Sequence, residues 1–252
     1  MILSPIRQAQ GQDRSVEGTR FGIIGLGGLG GPVAYALAAA GAGRLLLCDH
    51  DLVELSNLQR QVQFSTADVG TPKVFALAEE LVRRGYPRDR LDLVDERFEN
   101  NGAASILAAV DVVIDGTDNF PTKFLINDRC VAAGRPFVIG AVLRYGGQVI
   151  AVRPPQTACY RCLFEGPPTG DDPMSCADAG VLGAAVATIA GFTARAALAL
   201  ARGDDAQAGV LHVYDDLRRS LEPRRVRFHA RPDCLACAGQ QTSPIVVVEE
   251  AL

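Results

Sequence analysis

Residues 21 to 30 have the sequence FGIIGLGGLG, an apolar run that ends in a glycine-rich turn. The run predicts a buried strand over Phe21–Gly25, and the residues after the turn predict a helix whose first turn tolerates Pro32. Glycines at such a place let the backbone turn tightly and approach phosphate groups, which then lie at the positive end of the helix. The turn therefore predicts a nucleotide site that uses Gly25, Gly27, Gly28 and Gly30.

Short apolar runs alternate with helical stretches through the first half of the chain. This alternation is typical of a mostly parallel, Rossmann-like sheet with helices on both faces. After Gly140 the runs instead predict antiparallel strands around one long helix. We therefore expect an α/β fold in a single domain, 1–252, with a nucleotide-binding half (1–140) and a second half (141–252) that extends the same sheet. The predicted parallel strands are Phe21–Gly25, Arg44–Asp49, Leu91–Val94, Val110–Asp115 and Phe137–Gly140.

The composition excludes several classes of protein. Hydrophobic residues make up 48% and charged residues 21% of the 252 residues, which excludes disordered and fibrous chains. A net charge of −4 provides no cationic field for a phosphate backbone, so we expect no nucleic-acid partner. The N-terminal segment lacks the apolar core of a signal peptide, and Gly191 and Arg195 interrupt the apolar stretch from Val181 to Ala201. We expect a cytoplasmic protein with no membrane partner.

A polar segment follows the second predicted strand. Residues 49–61 have the sequence DHDLVELSNLQRQ, and Thr71-Pro72-Lys73 comes shortly after. An acidic residue at the end of this strand binds ribose hydroxyls in dinucleotide-binding folds, which is the role expected of Asp49. The glycine turn and Asp49 fit a nicotinamide-dependent oxidoreductase as well, so at this point that alternative stays open.

A second acidic turn follows the fourth predicted strand, in the sequence VDVVIDGTDN at residues 110–119. Side chains at the carboxyl ends of parallel strands face the crevice where ligands bind, so Asp118 is placed to meet magnesium and phosphate. Asp118 and Asn119 before Pro121 also predict a helix start at which Asp118 acts as the N-cap, and the two roles are compatible. We expect Asp115 to end the strand in a structural role.

The seven cysteines include two C-x-x-C pairs. An odd number of cysteines in a chain without a signal peptide argues against a disulfide framework. Four thiolates in two such pairs predict a closed, tetrahedral, structural zinc site, whereas a redox pair would account for only one of them. Cys48 and Cys130 are expected to be small core residues. The predicted zinc ligands are Cys159, Cys162, Cys234 and Cys237.

From Gly25 to Cys237, these motifs resemble the adenylyltransferases that activate ubiquitin-like sulfur carriers. Known members are the activating enzymes of molybdopterin synthase and of thiazole biosynthesis. The resemblance implies an ATP-dependent nucleotidyltransferase, in which the C-terminal glycine of a small carrier attacks the α-phosphate of ATP and pyrophosphate leaves. Because charge builds up on the phosphate oxygens, this chemistry needs cations and Mg²⁺ beside the phosphates.

The resemblance also implies roles for individual residues. Asp49 would hold the ribose, Asn57, Arg60 and Lys73 would contact the triphosphate, and Asp118 would hold Mg²⁺. Cys176 lies in SCADAGVLG, where a cysteine can attack the acyl-adenylate, and both a chemical role and a merely inherited cysteine stay open. The catalytic candidates are Arg60, Lys73, Asp118 and Cys176; further nucleotide-binding candidates are Asp51, Ser56, Gln59 and Asn119.

The partners implied by the resemblance are a second copy of the chain, a small ubiquitin-like carrier that ends in Gly-Gly, and a separate sulfur-donor protein. The family's N-terminal arginine, which reaches the partner's triphosphate, has only Arg7 and Arg14 as counterparts. Three alternatives remain at this point: an NAD-dependent oxidoreductase, a relative that adenylates another carboxylate, and a non-catalytic scaffold. The sequence does not choose between molybdopterin, thiamine and tRNA-thiolation carriers.

Overall fold

The computed structural model describes residues 14–167 and 180–238. The predicted site residue Cys176, Arg7 and the side chain of Arg14 lie outside the part described. Eight strands of the described chain form one sheet, in the spatial order β3-β2-β1-β4-β5-β6-β7-β8. Their bounds are β1 Arg20–Ile24, β2 Arg44–Cys48, β3 Leu91–Val94, β4 Val112–Asp115, β5 Phe137–Leu143, β6 Gly146–Val152, β7 Val210–Tyr214 and β8 Arg224–Arg227.

The helices cover both faces of this sheet. Short 3₁₀ turns at Leu55–Asn57, Thr66–Asp68 and Arg88–Arg90 lie in the connections. The helices are α1 Arg14–Glu17, α2 Gly30–Ala39, α3 Lys73–Arg83, α4 Asn100–Ala109, α5 Phe120–Ala132, α6 Tyr160–Phe164 and α7 Gly183–Ala201.

The strand directions confirm the predicted fold class. The order β3-β2-β1-β4-β5 is parallel throughout, and β6, β7 and β8 extend it with antiparallel pairs. The predicted bounds of β1 and β2 differ from the observed ones by one residue, and two bounds were wrong by more than that. Strand β4 begins at Val112 because Asp111 turns its carboxylate to the backbone and guanidinium of Arg20. Strand β5 runs on to Leu143 because it forms a hairpin with β6, a pairing that Gly140 does not interrupt.

Alternate strand residues point into two separate hydrophobic clusters. One cluster joins the sheet to α2, α3 and α7, with Leu37, Leu77 and Ile189 at its centre. The other joins the opposite face to α4 and α5 and contains the four paired cysteines. The carboxyl ends of β1, β2 and β4 therefore lie at one edge of a sheet that is packed on both sides, as in other open α/β folds.

Helix α7 is long and apolar enough to cross a membrane by length and composition alone. In the structure it packs against α2, β4, β5 and β6. Val186, Ile189 and Ala197 are buried in this contact, whereas Gly191 and Arg195 face outward. One face of α7 is therefore buried against the sheet and α2, while the other is exposed in the described chain.

Candidate functional site

The glycine turn between β1 and α2 lies directly against the turn that follows β4. Gly25 has a φ of +83°, and a Cβ on it would lie 2.9 Å from the backbone nitrogen of Thr117. A Cβ on Gly30 would lie 1.9 Å from the carbonyl oxygen of Gly25. Leu29, at the N-cap position of α2, offers no side-chain cap to the first amides of the helix. The helix N-terminus is thus suited to an anionic ligand.

Asp49 ties this glycine turn to the loop that follows β2. One carboxylate oxygen accepts the Leu26 amide at 2.6 Å, and the other accepts the Asp51 amide at 2.9 Å. The side chain is only 7% exposed. Each carboxylate oxygen can accept a second hydrogen bond, so the predicted contact of Asp49 with a ribose is compatible with its structural role.

Two buried glutamines that the sequence analysis did not single out lie beside the glycine turn. The side-chain amide of Gln63 donates to the carbonyl oxygens of Leu26 and Gly27, both at 2.9 Å. Gln61 lies beside Gly27, where a Cβ would be 3.4 Å from the Gln61 amide nitrogen. Both glutamines are buried, whereas the predicted Gln59 is exposed.

Lys73 is buried at the start of α3 and is paired with Asp51. Its Nζ lies 2.8 Å from Oδ2 of Asp51, and its amide donates to the Asp51 carbonyl at 2.9 Å. Burial by itself would raise the pKa of Asp51, but the hydrogen bond and charge of Lys73 outweigh it and lower that pKa below its usual range. The loop after β2 therefore carries an ionised carboxylate that positions a lysine.

Arg60 lies in a segment that is packed between the glycine turn and the start of α7. Its carbonyl oxygen would be 3.3 Å from a Cβ on Gly28, and the Gln59 carbonyl would be 2.9 Å from a Cβ on Gly183 at the start of α7. Within residues 14–167 and 180–238 its guanidinium has no carboxylate partner, and it donates to the Ser56 carbonyl at 3.5 Å. The backbone is thus fixed while the cationic head is available to a ligand.

Ser56 and Asn57 belong to the 3₁₀ turn that precedes Arg60. The Asn57 amide donates to Oγ of Ser56 at 3.2 Å, and that hydroxyl donates to the carboxylate of Glu54, also at 3.2 Å. Ser56 is exposed and Asn57 is half-buried. The two side chains thus lie in the same short turn shortly before Arg60, and their role in nucleotide binding stays a prediction.

Asp118 is exposed on the turn between β4 and α5. No hydrogen bond or ion pair to its carboxylate is present in the described part of the chain, so the group is available to a ligand. The expectation that Asp118 caps α5 was wrong: the N-cap is Asn119, whose Oδ1 accepts the Thr122 amide at 2.9 Å. The cap therefore falls one residue later and uses the side-chain oxygen of a residue that we had predicted to bind nucleotide.

Asp115, at the end of β4, is fully buried and forms an ion pair that the sequence did not predict. Lys123 Nζ lies 2.7 Å from its Oδ2, and the lysine is only 4% exposed. The other oxygen of Asp115 accepts the Thr117 amide and hydroxyl, at 2.9 and 2.6 Å. The expected structural role of Asp115 thus extends into the turn that carries Asp118.

The four paired cysteines converge behind the opposite face of the sheet. Their Sγ atoms all lie within 4.8 Å of one another, with separations of 3.9, 3.6 and 3.4 Å for Cys159–Cys162, Cys159–Cys234 and Cys162–Cys237. Tetrahedral zinc with Zn–S bonds of about 2.3 Å requires sulfur separations of about 3.8 Å. Burial raises the pKa of Cys237 to about 12, so a bound cation is what would favour its thiolate. The donor set fits zinc.

Cys48 and Cys130 lie in the core, as expected. Both are buried, and burial raises the pKa of Cys48 to about 12 and raises the pKa of Cys130 as well. These thiols are neutral at physiological pH and are not part of the cysteine cluster. They pack as small apolar side chains.

The sequence model of the ThiF family matches residues 1–236. The chain belongs to the ThiF family. A sulfur carrier protein adenylyltransferase from Thermus thermophilus is 38% identical over 248 residues, which covers 96% of this chain and 90% of the relative. The ThiS adenylyltransferase of Escherichia coli is 37% identical over 224 residues, covering 88% and 87%.

These ThiF-family relatives confirm the predicted resemblance and the predicted enzyme class, a nucleotidyltransferase. They give no support to the nicotinamide-dependent oxidoreductase. Among solved structures, E. coli MccB superimposes with a TM-score of 0.76 at 19% identity, covering 91% of this chain and 68% of MccB. At that identity the likeness concerns the fold alone, and it confirms the sheet and helix arrangement described above.

Proposed function

We propose that the chain is an ATP-dependent adenylyltransferase that activates the C-terminal glycine of a small ubiquitin-like sulfur carrier and releases pyrophosphate. The observation that carries the proposal is the Asp118 carboxylate, which has no partner within residues 14–167 and 180–238 and lies on a turn packed directly against the glycine turn. A free carboxylate beside a phosphate-binding turn is what a reaction at the α-phosphate of Mg·ATP requires. The names of the relatives support the substrate class.

In this proposal the glycine turn receives the phosphates at the N-terminus of α2, with Gly25, Gly27, Gly28 and Gly30 allowing the close approach. Asp49 accepts a ribose hydroxyl with its remaining lone pairs. Asn57 and Arg60 hold the triphosphate from one side, and Lys73, positioned by Asp51, from the other. Ser56, Gln59 and Asn119 complete the nucleotide-binding set.

Asp118 would hold Mg²⁺, which neutralises charge on the phosphate oxygens as pyrophosphate leaves. The residues present fit such a group, because a carboxylate oxygen is a ligand that Mg²⁺ prefers. Arg60 and Lys73 act on the same charge. The nucleotide-binding half (1–140) then carries the reaction, and the second half (141–252) carries a structural zinc and the carrier-binding surface within one domain.

The partners follow from the same proposal. The enzyme works in the cytoplasm as a homodimer, with a Gly-Gly carrier as substrate and a separate protein as the sulfur donor, and without nucleic acid or membrane. Arg7 and Arg14 are the candidates for the family's N-terminal arginine, and the sequence leaves open which of them, if either, contacts the partner's nucleotide. Cys176 is the candidate for covalent attack on the acyl-adenylate. Thiamine biosynthesis is one candidate pathway, since the E. coli relative is named for the carrier ThiS, and molybdopterin synthesis is another.

The test is ATP–pyrophosphate exchange with Mg²⁺ and a panel of small carriers that end in Gly-Gly. Exchange that depends on one carrier would support the proposal and identify the carrier. A carrier truncated by its last glycine is the matched control, because it keeps the docking surface while its terminal carboxylate ends one residue short of the α-phosphate. No exchange with any carrier, by a protein that binds ATP, would contradict the proposed substrate.

A further inference from the structure

The ion pair between Lys123 and Asp115 is buried next to the candidate site, and both side chains form further hydrogen bonds besides the one between them. The two side chains are 5% and 0% exposed. Lys123 Nζ also donates to the Gly140 carbonyl at 2.8 Å. The second oxygen of Asp115 is taken up entirely by the amide and hydroxyl of Thr117. One lysine on α5 therefore holds the end of β4, the middle of β5 and the turn between β4 and α5.

That turn is held between the ion pair and the glycine turn. The Gly116 amide donates to the Ile24 carbonyl at 2.8 Å, at the end of β1. A Cβ on Gly116 would lie 2.5 Å from the Gly25 carbonyl. A shift of Asp115 would therefore move Thr117 and press Gly116 against the glycine turn, and it would move Asp118 on the same short segment.

Stability alone does not explain a pair of this kind. Burying two charges costs desolvation free energy, and well-packed apolar residues of similar volume are often as stabilising or more so. What an apolar pair could not do is accept two hydrogen bonds from Thr117. The hydrogen bonds of the carboxylate, and not its charge alone, are what set the conformation of the turn.

We propose that Lys123 is a positioning residue that acts through Asp115 and Thr117 to hold Asp118 and the glycine turn in the geometry that binds Mg·ATP. Its kinetic consequence rests on the proposed function; its structural consequence does not. Lys123 itself is enclosed and touches no reacting group in this arrangement. Its effect on the reaction is therefore indirect and requires an intact Asp115.

The test uses four variants of the full chain. Lys123→Arg keeps the positive charge. Lys123→Met with Asp115→Leu removes both charges and the acceptor for Thr117, so that no charge remains buried and unpaired. Thr117→Val leaves the ion pair in place and removes one hydrogen-bond donor, which makes it the variant to measure if the double variant does not fold. Arg129→Met is the matched control, because this cation on the same helix contacts Asn100 and not the turn.

The first readout is amide hydrogen exchange without nucleotide, over peptides that cover residues 24–31 and 115–119. We expect faster exchange there in the double variant and in Thr117→Val, and wild-type rates in Lys123→Arg and Arg129→Met. The second readout is Mg·ATP affinity and, with a carrier that supports exchange, kcat. Because misplacing a catalytic group by about 1 Å can cost about 10²-fold, kcat should fall by that order while the KM for the carrier stays unchanged.

Unchanged exchange of these peptides in a folded double variant or in Thr117→Val would overturn the proposal. Faster amide hydrogen exchange in a variant that still binds Mg·ATP with wild-type affinity would also overturn it, because the ion pair would then have a structural role only. If the wild-type protein showed no ATP–pyrophosphate exchange with any of the carriers, the proposed function would be contradicted. Loosened turns and weakened Mg·ATP binding in the variants would still support the role of Lys123 in that case.

Discussion

Lys73 and Asp51 are joined twice, by an ion pair of 2.8 Å between Nζ and Oδ2 and by a backbone hydrogen bond of 2.9 Å from the lysine amide to the aspartate carbonyl. The lysine side chain is 7% exposed and the aspartate 52%. Of the two side chains, only that of Asp51 is thus substantially exposed to solvent. A ligand that reaches Lys73 must come from the direction of Asp51, along the loop that follows β2.

Replacing Lys73 with methionine should abolish adenylation while the protein stays folded. We expect pyrophosphate exchange to fall by about 10²-fold or more, because the variant loses one of the cations that act on the developing phosphate charge. Because Asp51 is half exposed, removing the lysine leaves no buried unpaired charge, and methionine fills the space of the buried lysine stem, so the cost in unfolding free energy should be small. Exchange kinetics and urea unfolding measure the two effects.

The control for this variant is Arg88→Met, which removes a cation from an exposed pair with Glu79. It should change neither exchange nor stability measurably. If Lys73→Met retained exchange at the wild-type rate, the proposed role of the lysine would be wrong.

Asp118→Ala should separate activity from stability more cleanly than any other substitution in the site. The Asp118 carboxylate has no partner within the described residues, and surface changes of this kind are usually within about 0.5 kcal/mol. We expect exchange to be abolished over the whole range of Mg²⁺ concentrations and the urea midpoint to stay the same. Glu222→Ala, at another exposed acid, should leave both unchanged. Normal turnover by Asp118→Ala would remove the metal-binding role.

The local patterns of the sequence predicted much of this fold. The glycine turn, the parallel strands and the C-x-x-C pairs each depend on neighbouring residues, so their chemistry can be recognised without coordinates. The four-cysteine cluster could be predicted because two C-x-x-C pairs in one chain typically form a single tetrahedral zinc site. The position of the α5 N-cap at Asn119 rather than Asp118 depends on which of two adjacent capping residues the backbone presents, and the sequence pattern does not determine that.

The contacts that the sequence did not predict join residues far apart in the chain or depend on burial. Gln63 bonds to Leu26 and Gly27, more than thirty positions earlier. Lys123 meets Asp115 only because α5 returns over the end of β4. Lysine and glutamine are usually exposed, so pattern alone favours a surface role for both. The three-dimensional packing decides these cases.

Removal of zinc should destabilise the chain before it affects the reaction. The four Sγ atoms join α6 to the segment that contains Cys234 and Cys237, on the face of the sheet opposite α7. We expect one zinc per chain by elemental analysis and a Tm that falls by about 5 °C or more on chelation, since 1 kcal/mol corresponds to about 2–4 °C in a domain of this size. Cys159→Ser should lower the zinc content, and Cys48→Ala should not. With Mg²⁺ kept in excess, inhibition by a zinc-selective chelator at an unchanged Tm would show that the zinc is catalytic instead.

The pair of Arg20 and Asp111 should make part of the stability depend on acid pH. The hydrogen bond from Arg20 lowers the pKa of Asp111, and burial opposes it more weakly. Because the folded pKa lies below the unfolded value of about 3.9, the stabilisation is fully present above that value and is lost as pH falls through the folded pKa. Asp111→Asn should therefore be less stable than wild type at pH 7, with a difference that shrinks below about pH 4.

The side chains of Arg20 and Asp111 are both more than a third exposed, so solvent screening keeps the effect small. Urea unfolding between pH 3 and pH 7 measures it, with Glu222→Gln as the control; a difference that is the same at both ends of that range would mean that the Asp111 carboxylate contributes no pH-dependent stability.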